Sequence, residues 1–168
     1  IGLSNESCWG TAQFLRIAAE NGFPRIVSLQ NEYSLLYRVF DLDLAELSHH
    51  EQVGLLPYSP LACGLLTGKY RGGARPEGSR LSLFKRFDRY GSAPTWEAAG
   101  RYAALAEAHG LSPTQMALAF VNSRPFLLAN IIGATRIDQL AENLGSLEIA
   151  LSDAVKAGLK AIHQAIPD

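Results

Sequence analysis

The feature that most limits what this chain can fold into is an alternation of two periodicities. Short apolar runs ending in small or polar residues take turns with longer stretches of helical spacing. The first run covers residues 1–3 and ends at Ser4-Asn5; the second, RIVSL at residues 25–29, ends at Gln30. A third covers residues 54–58 and ends in Tyr58-Ser59-Pro60, and a fourth at residues 129–132 leads into Gly133-Ala134-Thr135. Between them, residues 11–21 carry Phe14, Leu15, Ala18 and Ala19 at helical spacing, with Gly22 as a stop. Residues 40–51 repeat the pattern with Leu42, Leu44, Ala45 and Leu47. Further helices are predicted over residues 95–109, 112–123, 137–147 and 152–166, the second of these opened by Ser112 as N-cap and Pro113 in the first turn. Strands alternating with helices imply parallel strands joined by right-handed crossovers. The expectation is an α/β fold with four parallel strands near residues 1–4, 26–30, 54–58 and 130–133, and helices outside.

Composition narrows the function classes. With 168 residues, 48% apolar and 18% charged, the chain can bury a sizeable core and is not a disordered or fibrous sequence. A net charge of −1, with no long run of one sign, offers no basic face for a phosphate backbone, so nucleic acid is not an expected partner. The longest apolar stretches, 126–129 and 131–134, are too short to span a bilayer, so no membrane partner is expected. Cys8 and Cys63 show neither CxxC spacing nor His companions; they read as buried free thiols of a reducing cytoplasm. The adjacent His49-His50 pair points to different sides of a helix and completes no metal site, and Asp41, Asp43 and Glu46 read as a solvated acidic face. His109 suits a helix C-terminus, and His163 a surface position. No basic n-region of a secretory leader opens the sequence, and its start in mid-strand suggests a piece of a longer protein.

In parallel α/β folds the C-terminal strand ends form the binding face, and here each ends in residues able to hydrogen-bond. No GxGxxG follows any strand, so a Rossmann dinucleotide site is not supported. Four strand–helix units without that fingerprint suit half of an eight-fold barrel; a small open sheet remains an alternative on geometry alone. The segment from Pro60 to about Pro94 is rich in Gly, Arg and Ser, and connections of that length in compact domains are usually functional.

Five segments in order resemble the aldo-keto reductase superfamily, in particular its bacterial Tas-type branch. They are IGLSNE (1–6), SLQNEYSLLYR (28–38), LLPYSPLACGLLTGKY (55–70), HGLSPTQMALAFV (109–121) and IIGATRIDQLAENL (131–144). The middle segment also resembles the potassium-channel β-subunits, which share the fold. The resemblance implies a (β/α)8 TIM barrel, of which residues 1–168 supply the C-terminal half of a single domain, strands five to eight.

It further implies that Ser4, Asn5 and Gln30 hydrogen-bond a nicotinamide carboxamide and that Tyr58 stacks on the nicotinamide ring. Such contacts fix which face of the ring presents its hydride. Ser59, Leu61 and Gly64 would open the loop along the pyrophosphate, with Thr67, Lys69 and Arg80 reaching phosphate oxygens. Gly133, Ala134 and Thr135 would open the adenosine end, completed by Gln139, Glu142 and Asn143. These last three stand at i, i+3 and i+4, on one helix face whose N-terminus can receive an anion. Arg136 could bond a 2′-phosphate, which favours NADP(H).

Taken singly, each residue has a plainer reading. Ser4-Asn5 could be a helix N-cap, Tyr58 a half-buried aromatic, Lys69 and Arg80 surface charges, and the 139–143 set a solvated helix face. Their placement on successive strand ends turns the preference to the cofactor reading. The resemblance implies NADPH-dependent reduction of aldehydes and ketones, with a small carbonyl substrate. It also implies that the proton-transfer residues lie on the first four strands, before Ile1. None of Tyr33, Tyr37, Tyr58, Tyr70, Tyr90 or Tyr102 stands in the family's DTA…YG context, so no catalytic residue and no metal ligand is assigned. Alone, such a half would be inactive and need the N-terminal half or self-association. The alternatives are a non-catalytic nicotinamide-binding or interaction module, like the channel β-subunits, and a half-barrel that pairs with its own copy.

Overall fold

A computed structural model describes residues 1–84 and 89–168. Its sheet has three parallel strands, β1 (Gly2–Ser4), β2 (Ser28–Gln30) and β3 (Gly54–Leu55), in the order β1-β2-β3. Leu3 pairs with Leu29, and Leu29 with Leu55, so one apolar row crosses the sheet. Single bonds extend the ladder past the strands: Asn5 N–H donates to the Gln30 carbonyl at 3.0 Å and Leu56 N–H to the Leu29 carbonyl at 2.7 Å. β1 and β2 approach closely at Gly2, where a Cβ would lie 2.3 Å from Ser28 Oγ.

The fourth strand expected at residues 129–132 does not form. The chain instead runs beside β3 earlier, bridging Leu127 to Leu55, with Leu55 N–H donating to Phe126 and Leu128 N–H to Leu55, both at 2.8 Å. The expected strand at 54–58 also stops at Leu55. Pro57 explains the missing fourth strand, because it has no N–H to give the ladder on that side; towards β2 the bonding continues, with Tyr58 N–H donating to the Asn31 carbonyl at 3.1 Å. Its carbonyl accepts only one further bond on this side, from Ile131 at 3.1 Å. Gly54 permits the close approach, since a Cβ there would sit 2.8 Å from Leu128 Cβ.

Helices cover the sheet. α1 (Cys8–Asn21) begins three residues ahead of expectation because Ser7 Oγ accepts from Gly10 N–H, and it ends at Gly22 with φ 67°. A 3₁₀ turn (Val39–Asp41) and α2 (Leu44–Glu51) replace the single helix expected over 40–51. Asp41 is not on a solvated face: it accepts from the Tyr33 hydroxyl at 2.8 Å and pairs with Arg38 at 2.8 Å. Two 3₁₀ turns (Ala62–Thr67, Arg71–Gly73) and α3 (Arg80–Leu83) punctuate the long connection. α4 (Ala93–Ala108), α5 (Pro113–Asn122), α6 (Ile137–Gly145) and α7 (Asp153–Ala165) follow, with Ser92, Ser112 and Ser152 as side-chain caps.

Leu29, Val53 and Leu55 are fully buried in a core shared with α5 residues, and Tyr33 stacks on Phe120 with centroids 6.0 Å apart. This core fixes the C-terminal strand ends as one rim. Apolar side chains stay exposed at both edges of the sheet, at Ile1 just before β1 and at Leu128 beside β3, and Trp9, Phe23, Ile137 and Leu144 are exposed as well. Cys63 is a buried free thiol as expected, whereas Cys8 is only half-buried. Among the described residues, no helix is long and apolar enough to cross a membrane and no cluster is able to hold a metal ion.

Candidate functional site

The rim draws Ser4, Asn5, Gln30 and Tyr58 into one connected row. Asn5 leaves β1 with φ 53°, a left-handed conformation that asparagine tolerates better than most residues. Its Nδ2 donates to Ser4 Oγ at 3.2 Å, and Ser4 Oγ donates to the Gln30 carbonyl at 3.4 Å. The Tyr58 hydroxyl donates to Asn5 Oδ1 at 2.6 Å, tying the end of the β3 segment to β1 across β2. Ser4, Asn5 and Gln30 are exposed while Tyr58 is half-buried, so the row presents amide and hydroxyl groups beside an aromatic face. Burial pushes the Tyr58 phenol above its ordinary value; the Glu32 carboxylate adds to this and Arg89 opposes it.

Ser59 also has a left-handed φ, 56°, and its Oγ accepts from Arg89 Nη2 at 2.8 Å. Arg89 pairs with Glu32 at 3.3 Å, and its guanidinium carbon lies 5.8 Å from the Tyr58 ring centroid and 5.0 Å from that of Tyr90. The Tyr90 hydroxyl donates to the same Glu32 carboxylate. Sequence reasoning missed Arg89, Glu32 and Tyr90. Glu32 lay inside a quoted segment, but Arg89-Tyr90 sits in an arginine-rich connection without periodicity, and nothing in its spacing ties it to Ser59 thirty residues away.

Along the connection, Gly64, Thr67 and Lys69 come together, and Leu61 joins them only through its backbone carbonyl, which accepts from Gly64 N–H at 2.8 Å. Thr67 Oγ1 donates to the Gly64 carbonyl at 2.8 Å, and the Lys69 side chain lies across Gly64, where a Cβ would meet its Cε at 2.9 Å. Gly64 has φ 95°, which a side chain would strain. Lys69 Nζ also sits 5.2 Å from the Tyr70 ring centroid. Leu61 packs half-buried against the core, and Arg80 is exposed at the start of α3.

The adenosine-end residues divide. Gln139 Oε1 accepts from Thr135 N–H and Oγ1 at 3.0 and 3.1 Å, and Asn143 Nδ2 donates to the Gly133 carbonyl at 3.4 Å. Glu142 turns the other way and accepts from Ser112 Oγ at the start of α5. The expected single face is therefore split: Asn143 is buried under the 133–135 turn, and Glu142 serves helix packing. Arg136 and Asp138, both exposed, pair at 2.8 Å, and hydrogen bonding to Arg136 lowers the Asp138 carboxyl below its ordinary value. Arg136 is also the N-cap residue of α6 and gives it no side-chain cap; the Asp138 carboxylate accepts from the first-turn N–H groups of Asp138 and Gln139.

The family model described as Aldo/keto reductase family matches residues 1–164. The chain belongs to the aldo/keto reductase family. This aldo/keto reductase chain is 49% identical over 164 residues to Protein tas of Escherichia coli (strain K12), covering 98% of this chain and 47% of that protein. It is 33% identical over 170 residues to an aldo-keto reductase of Babesia bovis, covering 96% of this chain and 60% of the relative. It is 32% identical over 154 residues to a putative voltage-gated potassium channel subunit beta of Schizosaccharomyces pombe, covering 83% and 44%. The aldo/keto reductase chain thus spans about half the length of the curated relatives it matches.

Proposed function

We propose that residues 1–168 are the nucleotide-holding half of a (β/α)8 aldo-keto reductase barrel that uses NADPH to reduce small aldehydes or ketones in the cytoplasm. A preceding half-barrel completes the domain. The observation that carries this reading is the connected row of Ser4, Asn5, Gln30 and Tyr58 on adjacent strand ends of a parallel sheet. Family membership and the sequential strand order support it.

The side chains suit the cofactor. A carboxamide needs a donor and an acceptor held in one plane, which Asn5 and the Gln30 amide can supply; an aromatic ring beside them suits a flat heterocycle. The glycine-lined turn with Lys69 laid across it, and the exposed Arg136 guanidinium at the start of α6, both suit phosphate oxygens. NADPH, when bound, supplies the hydride for the carbonyl carbon. This chain's residues would then bind and orient: Asn5 and Gln30 stop the amide rotating, and Tyr58 covers one ring face. The proton for the carbonyl oxygen is assigned to the preceding half. A tyrosine acid working near neutral pH needs a lowered pKa. Tyr58 is shifted the opposite way, and Tyr33, Tyr70, Tyr90 and Tyr102 are buried.

A second reading, a nicotinamide-binding module without turnover, draws on the likeness to the channel subunit beta. Titrating the full-length protein with NADPH and then adding a small aldehyde separates the two. Fluorescence binding followed by oxidation of NADPH supports the reductase; binding without oxidation supports the module. An absence of binding sinks both.

A further inference from the structure

We propose that Arg89 is a positioning residue of the nicotinamide end, clamping Ser59 and one flank of the Tyr58 ring so that the ring meets the cofactor in a fixed orientation. The inference rests on the placement of Tyr58 proposed above. Arg89 touches four partners that belong to three separate stretches of chain. Nη2 donates to Ser59 Oγ at 2.8 Å, Nη1 pairs with Glu32 at 3.3 Å, and the guanidinium stands 5.8 Å from the Tyr58 centroid and 5.0 Å from that of Tyr90. A planar fork serves such a position because it can hydrogen-bond along its edge while lying against rings, which an ammonium cannot do.

The anchor behind Arg89 is itself rigid. The Glu32 side chain is 11% exposed, accepts a second hydrogen bond from Tyr90, and belongs to a residue whose backbone bridges Tyr58. Tyr90 is buried. Tyr58 is therefore held at its hydroxyl by Asn5, at its backbone by the Asn31 carbonyl at 3.1 Å, and at its ring by Arg89. An aromatic ring fixed before the ligand arrives spares the ordering cost that a mobile one would incur on binding. The contact to Ser59 also secures a non-glycine residue at φ 56°, a conformation that persists only where its surroundings enforce it. Because Ser59 opens and Arg89 closes the connection carrying Thr67, Lys69 and Arg80, the same bond fastens its two ends together.

The test uses the full-length protein and two ligands, NADPH and 2′-phospho-ADP-ribose, which lacks the nicotinamide. Arg89→Met is expected to weaken NADPH about tenfold, the size of one cation–π contact with one charge-assisted hydrogen bond, and the truncated ligand about twofold or less. Arg89→Lys, which keeps the charge but not the fork, should fall between, and it carries the test if Arg89→Met lowers the folded yield. The fluorescence spectrum of bound NADPH should shift in both variants, a change that a merely structural role would not produce in folded protein. Equal losses for both ligands, or none for either, overturn the proposal. If Tyr58→Ala leaves NADPH affinity unchanged, the placement of the nicotinamide itself is wrong, and that failure is distinct from a failure of Arg89 alone.

Discussion

The rim of the sheet and the start of α6 both offer polar side chains to the same proposed ligand, yet they are built differently. At the rim, most polar contacts join segments far apart in sequence: Asn5 to Tyr58, Ser4 to Gln30, Arg89 to Ser59 and Glu32. In the first turn of α6 the contacts are local, with Thr135 meeting Gln139 four residues on and Arg136 meeting Asp138 two residues on, and only Glu142 further along reaches α5. The rim rests on fully buried Leu29 and Leu55, whereas α6 carries Ile137 at 82% exposure. A site tied across strands inherits the stability of the sheet; a site tied within a turn has only that turn to order it. The rim is therefore the preorganised end, and the α6 end is free to adjust to its ligand.

The largest expected effect breaks the foundation of the rim. Leu29→Ala should cost about 2–5 kcal/mol in denaturant unfolding of the full-length protein, the range for truncating a fully buried leucine. Ile137→Ala should cost about 0.5 kcal/mol or less, as exposed positions do. Similar losses at both would erase the contrast.

Next comes binding. Tyr58→Ala should lose about 1–3 kcal/mol of NADPH affinity, one large aromatic contact, with the fold retained. Tyr58→Phe should lose less, since it keeps the ring and gives up only the bond to Asn5. If Tyr58→Ala unfolds the protein while the surviving molecules bind normally, the residue is core and not site. At the other end, Arg136→Glu should weaken NADPH several-fold more than NADH, because it sets a like charge beside the 2′-phosphate. Equal losses for both nucleotides would remove Arg136 from the site.

The smallest effects are in pH, and their signs differ between the regions. Burial raises the Tyr58 phenol above its ordinary 10.0, so the folded rim keeps a proton that the unfolded chain releases. Its contribution is complete below pH 10 and declines as pH rises beyond that. Asp138 is lowered from 3.8, so its contribution is present above that value and is lost as pH falls below it. Tyr58→Phe should thus flatten part of the alkaline decline in stability, and Asp138→Asn part of the acid one. Unfolding curves of the two variants that superimpose on the parent at both extremes would contradict these signs.

Helix positions were largely legible in the sequence because their caps are local: Ser112-Pro113 and Gly22 act on their own backbone neighbours. The three strands were legible as apolar runs. The fourth was misplaced because its register is set by Pro57 and Gly54 on the neighbouring segment, which periodicity within residues 129–132 cannot report. At the site, residues that follow strands were readable, since strand ends in a parallel sheet share a face. The division of Gln139, Glu142 and Asn143 was not, because it depends on α5 reaching Glu142 through Ser112. Arg89 was illegible for a related reason: its meaning comes from a fold that returns the chain to Ser59.

Strand order carries a consequence for how the chain is made. β2 pairs with β1, and β3 with β2, so each later strand adds to the one synthesised just before it. Short sequence separation between partners keeps the closing entropy of each pairing low. On a ribosome, the sheet can therefore grow one unit at a time in the direction of synthesis, with each new edge hidden by the next strand to emerge.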